Sequence, residues 1–167
     1  MADKGLEDLF FDTLRDIYYA ERHIHKNLPT LQANASSDEL KQAFEAHTLE
    51  TEGQIKRLEQ VFALIDRPPT SKRCEAIDGI LAEGSSVLED YKDTTALDAG
   101  LISAAQAVEH YEITRYGTLR RWAKMLTLGN AYDLLTESLE EESRTDELLT
   151  KIAETEANAK AAEVAKG

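Results

Sequence analysis

The chain has 167 residues, which is enough for one domain with a sizeable hydrophobic core. Its net charge of −13 argues against nucleic acid and anionic membrane surfaces as partners, because both attract basic proteins. Cys74 is the single cysteine, so an internal disulfide and a cysteine-ligated zinc or iron–sulfur site are excluded. No apolar run is long enough to span a bilayer, and the acidic start does not resemble a signal peptide. We therefore expect a cytoplasmic protein.

The composition and the positions of helix-ending residues predict an all-α chain. There are only 8 glycines and 3 prolines, against many Ala, Leu, Glu and Lys residues. A first helix is predicted over residues 6–33, and it ends in the turn-like segment NASS. Ser36 followed by Glu39 is a capping-box pattern, which predicts a second helix over residues 36–66. The prolines of RPPT end this helix.

The connection that follows the prolines is too long for a hairpin. Residues 71–90 predict a separate and weaker helix, because two glycines lower its helical propensity. We expect the apolar residues of this segment to provide a homodimer surface; they are Ile77, Ile80, Leu81, Val87 and Leu88. DYKDTT is a second break, and a longer helix is predicted over residues 95–128, with Thr95 as its cap and Gly129 as its stop.

The last predicted helix covers residues 130–153 and is capped by Asn130. Residues 154–167 have no apolar face, so we expect a frayed or disordered tail. The predicted domain is accordingly a single one that covers residues 1–153.

Each of the four long helices carries an apolar stripe at heptad spacing. Four amphipathic helices with two short links predict a four-helix bundle, and the long link is a crossover that carries the extra helix. Near its middle each stripe is interrupted by acidic residues. The interrupting residues and the histidine beside them are Glu21, His47, Glu50, Glu109, Glu112, Glu142 and Asp146.

These interruptions fall at one height of the predicted bundle. Glu21 and Glu50 are equally far from the first turn, and Glu112 and Asp146 are equally far from the last turn, so each pair faces across its hairpin. Buried carboxylates at one level lose hydration and repel one another, and bound divalent cations remove both costs. Carboxylates with a histidine suit Fe or Mn, with Zn as an alternative. The other interpretation is a hydrogen-bonded network of protonated acids without metal.

Five motifs lie between residues 6 and 150: DLFFDTLRDIYYAE, FEAHTLETEGQIKRLEQVF, CEAIDGI, AAQAVEHYEITRYGTL and LEEESRTDELL. Together they resemble the YciE/YciF family of small bacterial proteins, within the ferritin-like superfamily. The resemblance implies a ferritin-like bundle with a rubrerythrin-like dimetal carboxylate centre, most simply with two iron ions. It also implies an association with bacterial stress conditions.

The resemblance assigns metal ligands residue by residue. Glu21 matches the glutamate of the first helix, and Glu50 matches the glutamate of the second. Glu109 and Glu112, in EHYE, are similar to the paired acids of rubrerythrin-like proteins. Glu142 matches the glutamate of the last helix.

Two positions depart from the superfamily pattern. Histidine is expected three residues after each of two glutamates, and Gly53 and Thr145 stand there instead. His47, one turn earlier, and Asp146, one residue later, are expected to take their places. The resulting site is richer in oxygen ligands.

Two kinds of function follow from this site. One is an enzyme-like di-iron protein that reduces peroxide or oxidises ferrous iron, which would need an external electron donor because the chain has no electron-transfer module of its own. The alternative is a non-catalytic, metal-binding or structural dimeric bundle that acts through partners.

Overall fold

Five long helices dominate the computed structural model, which describes residues 3–163. They are α1 (Leu6–Asn34), α2 (Asp38–Leu64), α3 (Glu75–Tyr91), α4 (Leu97–Met125) and α5 (Gly129–Ile152), and a π-helical turn (Ala153–Ala157) leads into the short α6 (Asn158–Ala162). These residues contain no strand, and α3 lies in the crossover between α2 and α4. The prediction of an all-α, ferritin-like bundle with a helix-bearing crossover is confirmed. No helix within residues 3–163 combines the length and apolar content needed to cross a membrane.

The bundle core is built from one face of each of α1, α2, α4 and α5. Both α1 and α5 pack against α2 and α4. Every predicted stripe position of α1, α2 and α4 is buried, so the heptad pattern located these faces correctly. On α5 the face is rotated: Ser138 and Thr145 are buried, whereas Leu139 and Asp146 are partly exposed. The heptad frame placed these positions one residue too late.

The turn between α1 and α2 is held by side chains from distant parts of the chain. Ser37, and not Ser36, is the N-cap of α2, and its hydroxyl accepts from the N–H of Leu40. The N–H groups of Ser36 and Ser37 donate to the carboxylate of buried Asp98, at 2.7 and 2.8 Å. Because Asp98 occupies both N–H groups, the helix begins after them.

The other boundaries lie close to the predicted ones. The crossover helix begins at Glu75, later than predicted, with Cys74 as its N-cap. The next helix begins after Ala96, and not after the predicted cap Thr95. Asn130 lies inside the first turn of α5 and is not its cap.

The crossover helix packs closely against its own bundle. Ile77 is fully buried, so at least this part of the face predicted to form a homodimer surface is covered within the chain. Two glycines permit the close approach. A Cβ atom on Gly84 would lie 3.4 Å from Ala104 Cβ, and one on Gly100 would lie 2.6 Å from Val87 Cγ1. Gly84 in α3 therefore permits close helix packing, although it lowers the helical propensity of this segment.

The predicted fraying after residue 153 is wrong for the residues that the structure describes. The chain continues as a helix to Ala162, and Ala157 is buried. Glu156 accepts a hydrogen bond from the Ser37 hydroxyl at 3.0 Å. Alanine needs little room to pack, which is why this segment is ordered without an apolar stripe. Residues 164–167 of the predicted tail lie outside the described residues.

Candidate metal centre

Four buried side chains from three helices meet in the middle of the bundle. They are His47 from α2, Glu109 and Glu112 from α4, and Glu142 from α5. Each offers one potential ligand atom, and these atoms all lie within 4.8 Å of one another. His47 Nε2 is 3.0 Å from Glu109 Oε1. The spacing of three between Glu109 and Glu112 places both carboxylates on the same face of α4.

Glu21 brings a fifth buried carboxyl group from α1. Its side chain is fully buried, and its Oε1 accepts a hydrogen bond from the hydroxyl of Tyr116, which is also fully buried. Its second oxygen has no hydrogen-bond partner. The phenol therefore fixes the carboxyl group through one oxygen and leaves the other free to bind a ligand.

Glu50 borders the group and is the carboxylate that reaches solvent. Its side chain is 34% exposed, and Oε2 lies 3.8 Å from His47 Nδ1. The hydroxyl of Thr145 donates to the same oxygen at 3.1 Å. The threonine at the expected histidine position thus holds a glutamate carboxylate.

Asp146 does not join this group, contrary to the prediction. It lies between α4 and α5 towards solvent, where it accepts from Gln106 and stands 3.1 Å from His110 Nε2. Thr145 faces the interior in its place, because the buried stripe of α5 runs from Glu142 through Thr145 to Leu149 and leaves Asp146 at its edge. The structure therefore brings six of the seven predicted site residues together and separates the seventh.

Burial dominates the acidity of the glutamates. It raises the pKa of Glu21 to about 7, although contacts with Glu112 and Tyr116 oppose the rise. Burial, and next the charge of Glu21, raise the pKa of Glu112 well above its ordinary value. Burial and the charge of Glu112 do the same for Glu142. Glu50 differs: its contact with His47 lowers its pKa.

The pKa of the His47 imidazole is also raised, but for this group the shift favours the charged form. Burial is the largest single influence and disfavours its charged form, but the charge and contact of Glu109 and the contact with Glu50 together outweigh burial and raise the pKa of His47 to about 10. Nε2 lies 3.0 Å from Glu109 Oε1, and the two side chains form an ion pair when the imidazole is protonated. The same separation of about 3.0 Å is expected between two ligand atoms that bind one metal ion at right angles, each at about 2.1 Å from the ion.

The polar atoms of the centre lack partners within the protein. The buried atoms without a hydrogen bond include both ring nitrogens of His47, both carboxyl oxygens of Glu112 and of Glu142, and one oxygen each of Glu21 and Glu109. A buried polar group without a partner costs about 1–3 kcal/mol, and a charged group costs more. Metal ions are the partners that satisfy converging carboxylates and a neutral imidazole together. The residues therefore fit a metal centre.

Two contributors were not recognised from the sequence as parts of the site. The heptad pattern assigns Tyr116 to the apolar stripe of its helix. Thr145 occupies a position at which the superfamily pattern has histidine. Tyr116 lies four residues after Glu112, and Thr145 lies three residues after Glu142. Both spacings place a hydroxyl on the same helix face as a buried acid, and this was the available signal.

Comparison with known proteins agrees with the fold. The model of the family described as a domain of unknown function, DUF892, matches residues 5–162. This chain belongs to the DUF892 family. It is 42% identical over 162 residues to the Escherichia coli protein YciF, covering 96% of this chain and 98% of YciF. The predicted resemblance to the YciE/YciF family is thereby confirmed.

Three solved structures have the same fold. The E. coli stress protein YciF superposes with a TM-score of 0.87 at 40% identity, covering 96% of this chain and 99% of YciF. YcfI from Rhodopseudomonas palustris, described as a candidate structural protein, also gives 0.87 at 43% identity, covering 90% and 96% of the two chains. A Xanthomonas campestris protein with 20% identity and a TM-score of 0.74, covering 96% and 98%, shares the fold.

Proposed function

We propose that the protein binds two divalent metal ions, most simply iron, at the buried glutamate–histidine centre. The observation that carries the proposal is the convergence of carboxyl and imidazole atoms that have no partner in the protein. Charge favours two ions over one. Five glutamates surround the centre, namely Glu21, Glu50, Glu109, Glu112 and Glu142, and two divalent ions balance four of their five charges when they are ionised.

Each residue has a specific role in this proposal. His47, Glu109, Glu112 and Glu142 form the group that holds metal most directly, and Glu21 and Glu50 complete it from either side. The hydroxyl of Tyr116 orients Glu21, and the hydroxyl of Thr145 orients Glu50. Partners of this kind commonly change metal affinity by about 10–100-fold when they are removed.

The proposed activity is reduction of a small oxidant at the expense of ferrous iron. Two ferrous ions supply two electrons, which with two protons convert one dioxygen to hydrogen peroxide, or one hydrogen peroxide to two waters. Burial keeps bulk water away from the centre. Repeated turnover needs an external electron donor, because the single cysteine, Cys74, contacts the Tyr111 hydroxyl and cannot provide an iron–sulfur module. The relationship to the stress protein YciF supports a role in bacterial stress.

Metal analysis is the decisive test. Protein purified without chelators and loaded anaerobically should contain two ferrous ions per chain. Glu142→Ala should lose most of this metal, and Glu50→Ala should bind it more weakly. Glu45→Ala, which changes an exposed glutamate on the same helix as Glu50, is the control and should bind as the unsubstituted protein does. Protein that binds no more metal than Glu142→Ala would contradict the proposal.

A non-catalytic function is the second candidate. It is favoured by the absence of histidine at Gly53 and Thr145, and by the description of the related YcfI as a structural protein candidate. In this case metal binds without oxidant consumption, and the protein acts as a homodimer or through other partners. Peroxide and oxygen consumption by iron-loaded protein, compared with the same amount of free iron, separates the two functions. Sedimentation at micromolar concentration tests the homodimer.

A further inference from the structure

A narrow crevice between α1, α3 and α4 ends at the metal centre. Asn27 and Leu81 line it and are partly exposed, whereas His47 and Glu109 line it and are buried. Its remaining walls are apolar and belong to Ile24, Leu28, Leu31, Ala105 and Val108. The cavity volume is about 10 Å³, which is room for a single molecule of the size of water.

The lining of the crevice selects for uncharged molecules. A hydrated cation would have to shed its water against apolar walls, where the amide of Asn27 is the sole polar side chain before His47 and Glu109. Glu50 offers cations a different approach, because its carboxylate is partly exposed on the side where α2 meets α5. Metal loading therefore does not require the crevice.

We propose that the crevice is the route by which dioxygen reaches the His47 and Glu109 edge of the centre, and that Leu81 sets its width. This inference rests on the proposed function for its purpose but not for its geometry. Dioxygen is apolar and uncharged, whereas peroxide carries two hydroxyl groups for which the walls offer only the amide of Asn27 before His47 and Glu109.

Leu81 is well placed to control this route. It is the one crossover residue among those that line the crevice, and it is partly exposed. The helix that carries it is held close to α4 by the contacts at Gly84 and Gly100. A change in side-chain size at residue 81 therefore changes the opening without a compensating movement of the helix.

The first test uses metal-free protein and dissolved oxygen as a paramagnetic probe in methyl NMR. The methyl groups of Ile24, Leu28 and Val108 should relax faster under oxygen pressure than the equally buried methyl groups of Leu58 and Val61, which lie away from the crevice. Leu81→Trp should remove this difference, and Leu49→Trp, at an exposed site on α2, should not. Equal relaxation of both sets in the unsubstituted protein would overturn the inference and leave the proposed metal centre unaffected.

The second test measures reaction of the anaerobic, ferrous-loaded protein with dioxygen and, separately, with peroxide. Leu81→Trp should slow the dioxygen reaction by about tenfold and leave the peroxide reaction within about twofold of the unsubstituted rate. Leu81→Phe is a milder block that should slow it less, and Leu81→Ala should not slow it. Unchanged Zn²⁺ affinity shows that a variant retains its centre.

The outcomes of this second test separate the two proposals. Equal slowing of both oxidants, or no slowing in folded Leu81→Trp and Leu81→Phe, would overturn the dioxygen route. If the unsubstituted protein consumes neither oxidant, the proposed redox function fails, whereas the NMR result still decides whether dioxygen enters the crevice.

Discussion

Replacing Glu21 by glutamine should stabilise the metal-free protein above neutral pH, although the residue is fully buried. Burial raises the pKa of Glu21 to about 7 from an ordinary 4.5, so the folded chain favours the protonated carboxyl group. Glutamine has nearly the same shape and carries no charge. Its carbonyl oxygen can still accept the hydrogen bond from the Tyr116 hydroxyl. The substitution therefore removes a charge without removing a contact.

The magnitude follows from the two pKa values of Glu21. A carboxyl group with a higher pKa in the folded chain stabilises the fold below the unfolded value, and this stabilisation is lost as pH rises through the folded value. For Glu21 the loss runs from about pH 4.5 to about pH 7. Each pKa unit corresponds to about 1.4 kcal/mol, so glutamine should avoid a cost of about 3 kcal/mol at pH 8.

Urea unfolding of chelator-treated protein at pH 5 and pH 8 measures this effect. Glu21→Gln should raise the free energy of unfolding by about 3 kcal/mol at pH 8 and by less than about 1 kcal/mol at pH 5. Glu45→Gln, at an exposed position, should stay within about 0.5 kcal/mol at both values. Added Zn²⁺ should stabilise Glu21→Gln less than the unsubstituted protein. A variant that is less stable at pH 8 without metal would refute the reasoning, because Glu21 would then stabilise the fold as an anion.

Three further substitutions test the contacts around the centre and the crossover. Thr145→Val removes a hydroxyl that orients a glutamate and should weaken Zn²⁺ binding by about tenfold in a competition titration. Asp98→Ala leaves two backbone N–H groups without their acceptor and should lower the free energy of unfolding in urea by about 3 kcal/mol. Gly100→Ala places a Cβ atom 2.6 Å from Val87 and should cost about 2 kcal/mol in thermal unfolding, whereas Gly79→Ala meets nothing within 4 Å and should not destabilise.

The fold was predictable because helix periodicity and turn chemistry agree along most of the chain. Phe10, Leu14 and Ile17 illustrate a heptad stripe that is buried at every position. Helix starts were less predictable, because capping is decided partly by tertiary contacts. Ser36 has the better local capping-box pattern, but distant Asp98 binds its N–H, and Ser37 becomes the cap.

The candidate site was predictable in part. Residues that are equally far from a hairpin turn lie at the same level along the bundle axis, so sequence distance from the turn predicts which side chains can meet. It places Glu21, Glu50 and Glu112 at one height, and the structure brings them together. Rotation of α5 about its own axis was not fixed by this distance. Residues three and four apart both lie near one helix face, so Thr145 and Asp146 compete for the interior. In the structure Asp146 lies towards solvent beside His110, and Thr145 takes the interior position beside Glu50.

The hydrogen bond between Ser37 and Glu156 joins residues that are 119 positions apart. Ser37 gains this contact only when the helices between the two residues are already arranged for them to meet. The turn after the first helix is therefore completed by a residue that lies beyond the last long helix, so this single hydrogen bond ties the first hairpin to the finished bundle.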